Sequence, residues 1–227
     1  MKRSEINSNL AWAKKLMEHC KFKLPPFAFW SLEDWESKGH ECDEIRRNML
    51  GWDITDFGLG EFDKYGLTLF TLRNGNDQDP YDPKPYAEKI MAMRSGQICL
   101  THFHWKKIED IINRGGGDLV IQLYNATEED KIDEESPVQV SVDGVARELS
   151  AGAEITLSPG ESITLTPRLY HKFWSAPDTG AVLIGEVSAV NDDNTDNCFA
   201  EKVGRFPEIE EDEPPLHLLC NEYPKAV

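Results

Sequence analysis

Apolar residues recur at helical spacing at the start of the chain: Ile6, Leu10, Ala13, Leu16, Met17 and Cys20, with charged and polar residues between them. That period predicts an amphipathic helix. The stretch from Lys23 to Pro26 stops it, because proline lacks the N–H a helix interior needs. Phe27, Phe29 and Trp30 follow as bulky apolar anchors. Ser31-Leu32-Glu33-Asp34 then predicts an N-cap and an acidic first turn for a short helix through Trp35. Up to about Asp63 no period stands out.

From residue 67 the texture changes to short runs rich in Val, Ile, Leu and Thr, broken by turn residues. The predicted strands are Leu67–Arg73, Lys89–Arg94, Gln97–His104, Asp118–Tyr124, Val138–Val142, Val145–Leu149, Ser162–Thr166, His171–Ser175 and Val182–Ser188. Asp143-Gly144 is a two-residue hairpin signal, and Ser95-Gly96 and Ser158-Pro159-Gly160 mark further turns. No strand–helix–strand repeat is visible. Many short antiparallel strands predict an all-β fold, a barrel or double-sheet jelly roll, with the N-terminal helices packed on its outside or covering one end. With no long linker, the expected organisation is one domain: a mainly helical extension over 1–65, a β-barrel over 66–200 and a C-terminal segment over 201–227.

Composition narrows the partners. The 227 residues carry 24 Lys and Arg against 41 Asp and Glu, a net charge of −17. Such a surface repels phosphate backbones and anionic lipid, so neither nucleic acid nor a membrane is an expected partner. It gives no electrostatic reason for a highly phosphorylated substrate either. No apolar run approaches the roughly 20 residues that span a bilayer. Met1-Lys2-Arg3-Ser4-Glu5 is not followed by an apolar stretch, so no secretory signal is expected. Cys20, Cys42, Cys99, Cys198 and Cys220 are scattered and unpaired in motif, which fits a reduced, cytoplasmic protein. The acidic runs Glu128–Glu135 and Glu208–Glu213 read as solvated loops. Gly58-Leu59-Gly60 lacks the third glycine of a dinucleotide fingerprint, and Gly115-Gly116-Gly117 lacks the Lys-Ser/Thr of a phosphate loop; the latter reads as a flexible turn.

Chemistry concentrates in two places. In a strand, side chains two apart face the same way, so His102 and His104 are expected to share the barrel interior with Ile98 and Leu100. Paired imidazoles in an apolar interior are costly unless their nitrogens are used. Alone, the pair could equally be two hydrogen-bonded histidines on a half-exposed strand. Glu109, after a short bend, can return a carboxylate to the same point, and His171 opens a later strand. Three imidazoles and a carboxylate suit Mn, Fe, Co, Ni or Zn with positions left for substrate oxygens.

The stretches from Gly96 to about Gly116 and from Gly160 to about Ser175 resemble the two motifs of the cupin superfamily, with Ser175 where many cupins have Asn. A longer likeness is carried by His102-Phe103-His104-Trp105-Lys106-Lys107-Ile108-Glu109-Asp110-Ile111-Ile112-Asn113-Arg114-Gly115-Gly116-Gly117, by Arg168-Leu169-Tyr170-His171-Lys172-Phe173-Trp174 and by Gly185-Glu186-Val187-Ser188. It resembles the D-lyxose isomerase family over most of the chain. The resemblance implies a cupin jelly roll and a manganese-dependent, cytoplasmic aldose–ketose isomerase. Such an enzyme interconverts D-lyxose and D-xylulose, and often D-mannose and D-fructose. It also implies His102, His104, Glu109 and His171 as the metal ligands.

Isomerisation through an enediol needs a base near carbon and a proton shuttle between O1 and O2. Val182, Ile184, Glu186 and Ser188 share a strand face, so Glu186 is an unusual carboxylate on an apolar face and the candidate base. An exposed strand end is its plainer alternative. Lys107 is the candidate shuttle, with a surface bend as its alternative and Lys106 as competitor. Asp193, Arg205, Phe173 and Tyr86 are candidate substrate-binding residues; Glu88, Trp105 and Trp52 are weaker ones. His19, His40 and His217 have no ligand-like spacing. Competing readings are a cupin dioxygenase on the same ligands, a cupin-type phosphosugar isomerase, and a sugar-sensing or storage module. Exposed sheet edges favour association, and a homodimer is expected.

Overall fold

The predicted first helix forms as α1, Arg3–His19, in the computed structural model, which describes residues 1–80, 82–193, 195–204 and 206–226. Its buried positions include Ile6, Leu10, Ala13 and Met17, the apolar stripe of the sequence. Ser31 caps α2, Leu32–Glu36, as expected: its hydroxyl accepts the Asp34 N–H and the Asp34 carboxylate accepts the Ser31 N–H. The short helices α3, Asp43–Arg47, and α4, Phe62–Tyr65, complete the helical content with two 3-10 turns.

The strands are β1 Gly51–Thr55, β2 Leu67–Arg73, β3 Tyr86–Met93, β4 Ile98–His104, β5 Glu109–Gly116, β6 Leu119–Ala126, β7 Ile132–Asp133, β8 Val138–Val142, β9 Val145–Leu149, β10 Glu154–Leu157, β11 Ser162–Leu165, β12 Leu169–Ser175, β13 Val182–Ala189 and β14 Asn197–Phe199. They build two curled antiparallel sheets. One runs β1-β2-β3-β13-β5-β11-β8-β9, the other β10-β6-β12-β4-β14 with β7 added on β6. The β8–β9 hairpin turns at Asp143-Gly144, both at positive φ (50° and 80°), the mirror-image turn that matches strand twist.

Two apolar layers hold this arrangement. Between the sheets lie Met91, Met93, Ile111, Ile121, Leu123, Ile163, Phe173, Val182 and Ile184, drawn from both. On the outer face of the larger sheet, α1 covers Trp52, Ile54, Phe70, Ile90, Ala92 and Leu183. The central strands are therefore buried on both faces and read as nearly continuous hydrophobic runs. Each fully buried Ile or Leu here contributes roughly 1.5–3 kcal/mol.

The all-β jelly roll with helices outside is as expected, but several strands were not. β1 lies within the stretch expected to be mainly helical; it alternates Trp52 and Ile54 outward with Asp53 and Thr55 inward, and pairs Trp52 with Phe70. β5, β7, β10 and β14 also lie outside the expected strands. β5 begins at Glu109 itself, directly after the short bend Trp105–Ile108, so the carboxylate sits on the first residue of a strand. The glycine triplet is not a loose turn: Gly115 and Gly116 end β5 opposite Leu183 and Val182, and a Cβ on Gly116 would lie 2.2 Å from the Ala181 carbonyl oxygen. Among the described residues no helix is long and apolar enough to cross a membrane.

Candidate active site

β4 and β12 are neighbours in the smaller sheet, and their pairing sets His171 directly opposite His102. Between Cys99 and His102 the register slips, because Phe173 pairs with Cys99. Such a bulge changes which side a strand presents. Cys99 lines the cavity with His102 and His104, whereas Leu100 packs against the apolar core and Ile98 stays off the cavity.

All three imidazoles are buried, and each is oriented by a backbone carbonyl. Nδ1 of His102 donates to the Leu100 oxygen (2.7 Å), Nδ1 of His171 to that of Leu169 (3.0 Å) and Nδ1 of His104 to that of Asp196 (3.2 Å). A carbonyl only accepts, so the proton is on Nδ1 and each Nε2 is left with its lone pair. One ring nitrogen from each histidine lies within 4.8 Å of the others, and Nε2 of His171 and His102 are 3.1 Å apart. Glu109 Oε1 stands 3.2 Å from His171 Nε2 and 3.4 Å from His104 Nε2, yet is buried without a hydrogen-bond partner. Lone pairs aimed at one another and an orphaned carboxylate oxygen are unfavourable unless a cation reconciles them. The donor set fits a divalent metal. Phe199 of β14 stacks on His102 at 5.1 Å. Burial, helped by the two neighbouring imidazoles, holds His102 well below the usual histidine range, in the neutral form a ligand needs.

Beside this cluster is a buried ionic network. Lys107 Nζ contacts Glu109 Oε2 and donates to Glu186 Oε1, each at 2.8 Å. Burial works to lower the Lys107 pKa, but the two carboxylates outweigh it and hold the ammonium above its ordinary value. Burial likewise would raise Glu109, and the Lys107 ammonium outweighs it, so the carboxyl is held well below the usual range. Glu186 lies directly across the ladder from Lys89 of β3, whose Nζ is 3.7 Å from Glu186 Oε1 and 3.5 Å from Asp193 Oδ1, and donates to Asn191 Oδ1 at 2.6 Å. Ser188 Oγ also donates to Glu186 Oε1, at 3.2 Å. Every contact to Glu186 falls on Oε1; no described donor reaches Oε2.

These groups line a cavity at one end of the barrel. It brings together His102, His104, Glu109, His171, Lys107, Glu186, Phe173 and Asp193. It does not bring Tyr86, which is 45% exposed at the start of β3. The reason is parity: Ala87, Lys89 and Met91 face inward, so Tyr86 and Glu88 face out. Trp52 is buried against α1 instead, and Trp105 and Lys106 are exposed. Arg205 lies outside the described residues. His217 is tied to Lys14 and the Trp30 carbonyl, away from the site. Sequence reasoning missed Lys89 and Asn191. The same parity that singled out Glu186 applies to Lys89, a charge on the Met91 and Met93 face; Asn191 follows its strand in a polar loop and carries no such signal.

Comparison with known proteins agrees with this geometry. A model of the D-lyxose isomerase family matches residues 1–223. The chain is 47% identical over 224 residues, 98% of each chain, to the D-lyxose/D-mannose isomerase of Serratia proteamaculans. It is 31% identical to the D-lyxose ketol-isomerase of Cohnella laeviribosi, over 71% of this chain and 82% of that one. In fold it is similar to the L-ribose isomerase of Cellulomonas parahominis solved with no ligand, with a TM-score of 0.58 and 16% identity over 92% of this chain and 98% of that one. A curled antiparallel barrel, three converging histidines and likeness along nearly the whole length thus lead to one conclusion: this chain is a sugar isomerase belonging to the D-lyxose isomerase family.

Proposed function

We propose that the chain is a metal-dependent aldose–ketose isomerase that interconverts D-lyxose with D-xylulose and D-mannose with D-fructose. Mn2+ is the proposed metal, held by His102, His104, Glu109 and His171. The observation that carries the reading is the convergence of three bare Nε2 atoms and the orphaned Glu109 oxygen beside a buried lysine shared by two carboxylates. The relatives named D-lyxose/D-mannose isomerase, at 47% identity over 98% of both chains, support the substrate.

A divalent cation bound there supplies Lewis acidity at two adjacent sugar oxygens and stabilises negative charge developing on them. The remaining chemistry belongs to the protein. Glu186 is anchored through Oε1, so Oε2 is the oxygen free to take the proton from C2 of the aldose and return it to C1 of the ketose. Lys107 gives a proton to O1 and recovers one from O2, its ammonium kept charged by Glu109 and Glu186. Asp193 and Phe173 flank the bound sugar as a hydrogen-bonding and an apolar wall, and Arg205 is proposed as a further sugar-binding residue. Lys89 and Lys107 are already committed to carboxylates, which favours a free sugar over a sugar phosphate. We further propose a homodimer in the cytoplasm, on the exposed sheet edges and on cysteines scattered without a pairing motif.

The test is turnover of a pentose and hexose panel by Mn2+-loaded protein. D-xylulose from D-lyxose is expected, with deuterium from heavy water appearing at the transferred carbon. Absence of any ketose with every divalent metal would end the proposal. Oxygen uptake with a small aromatic or diketone substrate would transfer the site to dioxygenase chemistry. Product whose transferred hydrogen never exchanges with solvent would replace the enediol by a hydride shift.

A further inference from the structure

Only Trp105 to Ile108 lie between β4 and β5, which belong to different sheets. This bend must cross the mouth of the barrel and still aim His104 and Glu109 at one point. A crossing segment has no ladder to receive its N–H groups, and buried donors left unmade are expensive.

Here three successive donors end on one residue. Trp105 N–H donates to the carbonyl oxygen of Asp196 (3.3 Å), Lys106 N–H to its Oδ1 (2.8 Å) and Lys107 N–H to its Oδ2 (2.9 Å). The same carbonyl accepts Nδ1 of His104 at 3.2 Å. Asp196 is itself fixed. Its N–H donates to the Asp192 carbonyl at 3.0 Å, and the next residue, Asn197, pairs with His104 as β14 joins the sheet. It is buried and is not among the residues lining the cavity that holds Lys107 and Glu186.

We propose that Asp196 is a positioning residue for the isomerisation. Its carboxylate fixes the bend that sets Lys107 Nζ between Glu109 and Glu186, and its carbonyl keeps the His104 proton on Nδ1. It does so without touching the sugar. The carboxylate accepts two charge-assisted backbone bonds, about twice as strong as neutral ones, while a side chain displaced by about 1 Å can lose about 100-fold in rate. The role in catalysis rests on the proposed function of Lys107; the tie between Asp196 and the bend does not.

Asp196→Asn is the decisive variant, because it keeps size but turns an NH2 toward one of the two backbone donors. The expected result is a kcat about 10–100-fold lower, with KM within about threefold of wild type and Mn2+ content unchanged. In the metal-free protein, hydrogen exchange at the Lys106 and Lys107 amides should speed up at least about tenfold. Asp196→Ala should lower kcat further; should it fail to fold, the Asn variant and the exchange rates decide. Wild-type kcat in Asp196→Asn overturns the proposal. So does a raised KM at unchanged kcat, which would make Asp196 a sugar contact, or activity lost only in step with Mn2+. If wild-type protein turns over no sugar, the proposed function falls, and exchange at Lys106 and Lys107 still judges the Asp196 tie.

Discussion

The barrel interior has two ends built on the same strands and made of opposite materials. Along the inward face of β13, Val182 and Ile184 give way to Glu186 and Ser188; along β3, Met93 and Met91 give way to Lys89. On β12 Phe173 precedes His171 toward the mouth, and on β5 Ile111 precedes Glu109. One end is packed mainly from hydrocarbon side chains. In the other, each ion would cost several kcal/mol if buried alone. It survives because the lysines and carboxylates are mutual partners at 2.8–3.7 Å. The apolar end therefore sets how firmly the polar end is held, and the polar end sets what the molecule does.

That division can be broken most sharply at Glu186. Glu186→Gln preserves shape and removes the proposed base, so kcat should fall about 10²–10⁴-fold, while bound metal by elemental analysis stays near wild type. Loss of metal in this variant would mean that the residue belongs to the ligand set. Leu119→Ala attacks the opposite end, where Leu119 pairs with Leu157 and Ser175, four residues along β6 from the partner of His171. It should cost about 2–5 kcal/mol in denaturant unfolding and leave kcat per folded molecule unchanged. A comparable loss of kcat would show that the two ends are not separable.

Lys89→Met is a milder probe of the network. With Lys107 left as partner to both carboxylates, about a tenfold drop in kcat/KM is expected, roughly 1.4 kcal/mol. Wild-type kinetics would make Lys89 a bystander. The smallest effect is that of pH on the metal-free protein. His102 is held below its unfolded value of 6.5 and Glu109 below 4.5, so in both windows the unfolded chain binds more protons. The stabilisation each group provides is complete above those values and is lost as pH falls. Melting temperature should decline from about pH 6.5 downward and more steeply below 4.5, by about 2–4 °C for each kcal/mol lost. A flat profile over that range would mean that neither group is held as described.

The legible parts of this protein are those governed by short periods. A repeat near 3.6 residues announced α1, and alternation announced most of the barrel strands and the inward carboxylate at Glu186. The His-x-His pair and the later histidine were readable because imidazoles are rare on an apolar face. Tyr86 was misjudged by nearness in sequence where alternation already turned it outward. Ile98 falls on the other face from His102 because a bulge inserts one residue into the period, and nothing local announces it.

By itself, the sequence determined which segments could bury a face and which side chains had the chemistry to bind a cation or move a proton, since those properties belong to single residues and their immediate spacing. Tertiary structure alone decided that Lys89 and Glu186 share one carboxylate oxygen's surroundings. It alone decided that β1 closes the edge of the larger sheet, and that a carboxylate 89 residues from Lys107 receives its backbone N–H. Such pairings depend on register between strands far apart in the chain, and register is fixed only when all faces are buried at once.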